Sequence, residues 1–298
     1  MPIPSIRPFL SLALGAVLSS ALYAEPLKAV AWNIEWFPGG RPNASKGEKY
    51  KQIKGVKGIL GTMDPDIFLA QEVQDEKVFG KLVASVPGLK VDVFSAFPDR
   101  NKPARPGPQQ CAIASKLKAN SAWFETFKPA ENLPSLSRGF AFAALQHPDG
   151  GLIMIYSVHL KSNHGSDTPK GEKNVADTRK ESARQIIAHK AEMEKKFAGE
   201  KIVGWVVGGD FNTNHDGQFP MCTAVADLVK AGFHNSWDTT PKEERLSWRN
   251  HPKYTRFKPT TFDYLMTTGF KETQAKMIPD VSIEISDHAP IEILLEKK

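Results

Sequence analysis

Apolar and polar positions along this chain switch between a period of two and a period near 3.6, and the switching predicts an alternation of strands and helices. Residues 27–36 (LKAVAWNIEW) read as a strand. The stretch 47–60 then places Tyr50, Ile53, Val56, Ile59 and Leu60 at near-helical spacing. Residues 64–73 (DPDIFLAQEV) form a turn into a second strand, and 76–86 (EKVFGKLVASV) a short helix. Two further strands, KVDVFSAF and QQCAIASK, flank RNKPARPGP, a basic loop whose prolines exclude it from any central strand. Residues 140–162 predict a hairpin turning at Asp149-Gly150-Gly151. The clearest helix is 177–197, capped by Asp177 or Thr178, with Ala183, Ile186, Ile187, Met193 and Phe197 on one stripe. KIVGWVVGGDFN is the next strand and TAVADLVKAG a helix, while TFDYLMTT and VSIEI close the chain as strands. Strands joined sometimes by a hairpin and sometimes by a helix imply mixed sheets with helices outside, hence a layered α/β domain.

Composition changes that picture little. The chain has 298 residues, 41% hydrophobic and 24% charged, and no solenoid-length repeat or clear linker after residue 25. Residues 1–24 stand apart: Arg7, an apolar run and LYA before Glu25 read as a cleaved export signal. The run is about 14 residues, short of the roughly 20 needed to span a bilayer. The expected mature chain is therefore 25–298, periplasmic or secreted, with no stable membrane insertion. Losing Arg7 takes the net charge from +6 to +5, a balance that favours anionic partners. Whether Cys111 and Cys222 form a disulfide stays open.

The chemistry gathers at strand ends, where ligand sites of α/β sheets lie. AWNIEW, LAQEV, YSVHLKS, VVGGDFN, TFDYL and ISDHAP each end an apolar run in acidic, amide or imidazole groups. Period two sends Asn33 and Glu35 to one face, and likewise Asp210 and Asn212. Singly, each cluster has a plain structural reading. Together, oxygen ligands and imidazoles suit Mg²⁺, Mn²⁺ or Ca²⁺ better than structural zinc. No HExxH, GxSxG, P-loop or GxGxxG is present, which leaves acyl hydrolysis and nucleotide cradling without support.

The ordered set WNIEW, QEV, SVHLKS, GGDFN, FDYLM and SDHAP resembles the endonuclease/exonuclease/phosphatase superfamily, over residues 31 to 290. The resemblance implies a four-layer α/β sandwich, two mixed sheets face to face with helices outside, and divalent-metal phosphoester hydrolysis. It makes Glu72 the principal metal ligand, with Asn33 beside it and Asp287 a further ligand. It leaves Glu35 open, since some relatives have an acid there and others do not. Asp210 would orient or activate water, and Asn212 would donate to a phosphate oxygen. His288 would be base or phosphate contact, its tautomer set by Asp263. His159 would face the leaving group, as general acid or charged donor. A histidine at 159, where abasic-site endonucleases carry tyrosine, argues against a repair role.

For the substrate, nucleic acid is the first expectation. Lys242, Arg245, Arg249, Lys253, Arg256 and Lys258 are interleaved with Trp237, Trp248, Tyr254 and Phe257, and Arg100, Lys102 and Arg105 add positive charge. Lys161, Ser162 and Asn163, directly after His159, are the expected phosphate contacts. A lipid substrate would call for an apolar hairpin, and FPMC at 219–222 is a short one. A phosphomonoesterase or phospholipid phosphoesterase with the same core is the alternative, a non-catalytic binding protein the third reading. No protein partner is expected.

Overall fold

The computed structural model describes residues 25–99, 101–133, 138–249, 258–278 and 281–298. The expected export signal at 1–24, Arg100, and Lys253 to Phe257 of the basic stretch lie outside the described residues.

Two six-stranded mixed sheets pack face to face. The first has the order β11-β12-β1-β2-β4-β3, with β1 Leu27–Phe37, β2 Ile67–Val73, β3 Lys90–Phe94, β4 Gln110–Ser115, β11 Lys276–Met277 and β12 Ile291–Leu295. The second has the order β5-β6-β7-β8-β10-β9, with β5 Ala119–Thr126, β6 Gly139–Gln146, β7 Leu152–His159, β8 Ile202–Asp210, β9 His234–Asn235 and β10 Asp263–Thr268. One pair in each sheet is parallel, β1 with β2 and β7 with β8. Helices α1 Lys46–Met63 and α2 Glu76–Val83 cover the first sheet, and α3 Pro169–Lys196 and α4 Ala224–Lys230 the second.

Alternation along the central strands explains the layering. Ala29, Ala31, Ile67 and Leu69 face the other sheet, while Val30, Trp32, Phe68 and Ala70 face α1 and α2. Both faces are buried, so β1 and β2 read as almost unbroken apolar runs. This is the expected four-layer sandwich. The hairpin also forms as expected, with His147 and Gly151 closing the turn and Gly150 and Gly151 at φ 82° and 91°. Among the described residues, no helix is long and apolar enough to cross a membrane. Cys111 and Cys222 are separate, buried thiols, and burial pushes the Cys111 thiol up to about 12.

Three expectations need correction. Helix α3 starts at Pro169, eight residues before Asp177: Thr168 Oγ1 accepts from Gly171 N at 3.1 Å, and proline suits the first turn. Its first turns are polar, so the apolar stripe is silent there. Residues 281–285 turn rather than extend, because Val281 and Ile285 plug the surface of α1. The last strand is instead β12, paired with β1. Edge strand β5 was not foreseen, since its residues are only half buried.

Strand β3 carries a checkable cost. Burial raises the Asp92 carboxyl to about 6, against a weaker hydrogen bond from Ser115. Its folded pKa exceeds its unfolded value, so ionisation destabilises the fold as pH rises above about 4. Asp92→Asn is expected to raise stability at pH 8 by about 1–2 kcal/mol, discounted for partial exposure, and to leave it unchanged near pH 4. Urea melts at both pH values check this.

Candidate active site

The parallel pairs deliver their chemistry to one end of the sandwich. In the second sheet His159 is in register with Asp210, and Asp210 with Asp263, so β7, β8 and β10 set three functional groups side by side. From the first sheet, Asn33 is the last β1 residue before an irregularity in the β1–β2 register, and Glu72 lies within that irregularity on β2. Asn33 Nδ2 bridges the sheets, donating to Asp210 Oδ2 at 3.0 Å and to Glu72 Oε1 at 3.2 Å.

Simple alternation does not place the paired residues. Glu35, Trp36, Glu72 and Asn212 all have positive φ, at 42°, 49°, 59° and 52°. Asn33 Oδ1 accepts from Glu35 N at 3.0 Å, and Asp210 Oδ1 from Asn212 N at 2.8 Å. Each i, i+2 pair is thus an Asx-type turn, which ends β8 at Asp210 and interrupts β1 at Asn33. Left-handed backbone at non-glycine residues costs about 1–3 kcal/mol each and is retained mainly at functional sites. The two glycines before Asp210 are required by close packing. A Cβ on Gly208 would lie 2.5 Å from Leu69 Cδ1 of the opposite sheet, and one on Gly209 2.1 Å from the Val158 carbonyl. They let the two sheets close on each other beneath the site.

Asp210 Oδ2 is the focus of the arrangement. His159 Nε2 lies 3.4 Å from it and His288 Nε2 3.7 Å, both longer than a charge-assisted hydrogen bond. Burial raises the Asp210 carboxyl to about 7; Asp263 adds to this, and His288, Asn33 and the Asn212 amide pull against it. His288 Nδ1 is 2.7 Å from Asp263 Oδ2, which also accepts from Ser247 Oγ at 2.7 Å. Burial alone would push His288 down, but Asp263, then Asp210 and Asp287, hold it well above its usual value. His159 goes the other way. Burial, then Arg138, His288 and Lys161, push it well below its usual value, so it is neutral despite its two carboxylate neighbours. One imidazolium and one neutral imidazole therefore flank one carboxylate.

Three carboxylates on the first-sheet side have too little positive charge around them. Burial, then Asp287, raises Glu72. Burial, then Asp287 and Glu72, raises Glu35 to about 8, with the Asp287 amide opposing. Asp287 N donates to Glu35 Oε2 at 3.0 Å, and Trp248 Nε1 holds Asp287 Oδ2 at 2.9 Å. Mutually repelling, half-buried oxygen donors around an amide suit a hard divalent cation that keeps some of its water. Asn33, Glu72, Asp287 and Glu35 are the residues that would hold it. Among the described residues, the tightest donor cluster is Asp210, Asp263 and His288, within 4.8 Å of one another. There His288 Nδ1 and Asp263 Oδ2 already satisfy each other, which makes that group a hydrogen-bonded dyad beside a carboxylate rather than a vacant ligand set.

Residues 30–288 match the model of the endonuclease/exonuclease/phosphatase family. The chain belongs to that family. Its enzymes are divalent-metal-dependent phosphoester hydrolases, the chemistry this site is equipped for. No curated protein sequence matches the chain. Among solved structures, truncated Caenorhabditis elegans TDP2 aligns with TM-score 0.63 at 15% identity, over 92% of this chain and 99% of that one. The catalytic domain of human nocturnin aligns with TM-score 0.63 at 15% identity, over 93% and 95%. Sphingomyelinase C from Streptomyces griseocarneus aligns with TM-score 0.64 at 17% identity, over 91% and 99%. At these identities the likeness is one of fold.

Within this family fold, two arginines that the sequence reading passed over support the site. Arg138, just before β6, donates to the Leu160 carbonyl at 3.0 Å and to Gln109 Oε1 at 2.5 Å, and its charge acts on Glu72 and Asp210. Arg179, buried on α3, donates to the Asn212 carbonyl and to Asn163 Oδ1 at 2.7 Å. Asn163 Nδ2 donates to the same Asn212 carbonyl at 3.1 Å. The Asn163 carboxamide therefore ties two loops together instead of pointing at a phosphate. Lys161 Nζ turns onto its own loop, donating to the Ser162 and His164 carbonyls at 2.8 Å each, with Ser162 half buried beside it. Nothing in the spacing of Arg138 or Arg179 marks them; only the fold brings them in.

The basic and aromatic stretch is mostly structural where it is described. Trp237 is fully buried and donates to the Asp263 carbonyl at 2.9 Å. Arg245 is paired with Asp216 at 2.7 Å, and Arg249 binds the Val281 and Ser286 carbonyls. Trp248 packs on Phe262 and holds Asp287. These side chains build the β10 end of the site and are not a stacking platform.

Proposed function

We propose that this protein is an exported nuclease that hydrolyses DNA or RNA phosphodiester bonds by in-line attack of water, with Mg²⁺, Mn²⁺ or Ca²⁺ bound. The observation that carries the hydrolytic reading is the focus on Asp210 Oδ2, with a neutral imidazole 3.4 Å away and an imidazolium 3.7 Å away. A carboxyl raised to about 7 is basic enough to take a proton from water at neutral pH. His288, held protonated by Asp263, meets the charge that grows on a non-bridging oxygen, and an Asn212 amide hydrogen adds to it. His159 donates a hydrogen bond from Nε2–H to the departing oxygen on the other side of Asp210, and that oxygen takes its proton from solvent water. Glu72 and Asn33 would hold a divalent cation, which would supply further neutralisation of the phosphoryl group.

Nucleic acid is favoured by the +5 charge of 25–298 and by the positive field that Arg138 adds beside Glu72 and Asp210. A lipid-entering loop has little support. Phe219 of the FPMC stretch packs inward on Phe262 and under Arg179. Export rests on the composition of 1–24. Purified protein should nick plasmid DNA or degrade RNA with Mg²⁺ or Mn²⁺ and stop in chelator. Turnover of sphingomyelin or a phosphoinositide with plasmid left intact would overturn the nuclease reading while keeping the hydrolase.

A further inference from the structure

Helix α1 presents a face that the core only partly covers and the catalytic site does not use. Gln52, Val56 and Leu60 turn inward, and Gln52 Nε2 donates to the carbonyls of Ile34, Glu35 and Ile285. The next row at i, i+4 spacing, Lys51, Gly55, Ile59 and Met63, floors an open, mostly apolar groove of about 810 Å³ together with Ile278, Val281 and Ile285. The row beyond it, Tyr50, Lys54, Gly58 and Thr62, forms the outer rim. The groove follows the helix for about 20 Å, at 1.5 Å per residue. Its upper end adjoins the active-site rim through Gln52 but contains none of the site's residues.

The solvent side of α1 is cationic. The helix carries five lysines against one acid, Glu48, which is occupied by Arg41 and by the Ser45 cap. Lys51 pairs with Glu284. Lys46, Lys49, Lys54 and Lys57 are exposed, with no ion-pair partner among the described residues. Tyr50 is 70% exposed among them.

Two glycines sharpen the point. A Cβ on Gly55 would lie 2.3 Å from Ile285 Cδ1, so core packing requires that glycine. A Cβ on Gly58 or Gly61 would meet nothing within 4 Å. Glycine inside a helix weakens it relative to alanine, and nothing within the fold asks for these two. Bare backbone on the outer row lets an extended surface lie close against the helix.

We propose that this face of α1 docks on an anionic phospholipid surface. An apolar groove under a cationic rim matches a molecule with an apolar chain beneath a negative head. The lysines meet lipid phosphates, Tyr50 sits at headgroup level, and the upper part of one acyl chain enters the groove. The docking is independent of which phosphoester the active site cleaves.

Sedimentation of the purified protein with phosphatidylglycerol–phosphatidylcholine vesicles, against pure phosphatidylcholine vesicles, tests it. Binding is expected only to the anionic vesicles and to weaken with salt. Each basic residue near such a surface is worth roughly fivefold, so K46E/K54E/K57E should lower partitioning by about 100-fold or more. Tyr50→Ser should lower it several-fold. The charge-matched control K195E/K201E/K230E should keep most of the binding, and phosphoester turnover in solution should be unchanged in both triple variants. Equal binding to neutral vesicles, an equal loss in the control triple, or no vesicle binding at all overturns the proposal. So does duplex DNA binding, in the same salt, that the α1 triple alone abolishes, because the face would then be a nucleic-acid contact.

Discussion

Asp210→Asn is expected to lower the rate of phosphoester hydrolysis by roughly 10³- to 10⁴-fold while the protein stays folded. The substitution keeps shape and removes one charge. Asp210 Oδ2 now accepts from Asn33 Nδ2 at 3.0 Å and lies between His159 and His288. An asparagine would either turn its own N–H groups toward that donor or give up the Asn212 amide that Oδ1 accepts at 2.8 Å. In both cases the group able to take a proton from water is gone, and His288 loses one of the carboxylates that keep it charged. The effect should fall on kcat far more than on KM. Melting followed by circular dichroism should shift by no more than about 5 °C, which corresponds to 1–2 kcal/mol for a domain of this size. A variant within tenfold of wild-type turnover would remove Asp210 from the chemistry.

The same residues show what could be read before the fold was known. Most of the candidate groups were visible because Asn33, Glu72, His159 and Asp210 sit at or near the ends of apolar strands, whereas Asp263 opens β10 and His288 follows a turn. Asn33, Glu72, His159, Asp210, Asp263 and His288 all converge on one end of the sandwich, through the registers of β1 with β2 and of β7, β8 and β10. Pattern alone also implied the layers, since β1, β2 and β8 are buried on both faces and read as continuous apolar runs.

What was not visible depends on contacts distant in sequence. Arg179 looks like one more charge on a polar helix, and its burial follows from contacts with Asn163 and the Asn212 carbonyl, which are distant in sequence. Position alone makes Asn163 a phosphate contact, yet Arg179 and the Asn212 carbonyl occupy its carboxamide. Trp237 and Arg245 look like a nucleic-acid surface in one dimension and are interior supports in three. Charge and aromaticity are local properties, and burial is not.

The second large effect is expected from Asp263→Asn, which breaks the dyad without emptying its space. Asp263 is fully buried, accepts from Ser247 Oγ, and is the strongest of the neighbours that raise His288. An amide there can still accept one hydrogen bond, but it cannot offset the burial of an imidazolium. His288 should become neutral at pH 7 and lose its fixed orientation, so turnover should fall by about 10³- to 10⁴-fold, the scale seen when a histidine's orienting aspartate is amidated. The stability change has a defined sign. The folded pKa of His288 lies above its ordinary 6.5, so the dyad contributes fully below pH 6.5 and its contribution is lost as pH rises through the folded value. In chelator, the melting gap between wild type and Asp263→Asn should therefore be widest near pH 6 and narrow toward pH 9. Ser247→Ala, which removes one donor to the same oxygen but leaves the charge, should cost less in rate and leave that gap nearly independent of pH. A gap that widens with pH would mean that His288 is not held protonated by Asp263, and its role as the cation facing the phosphate would fall with it.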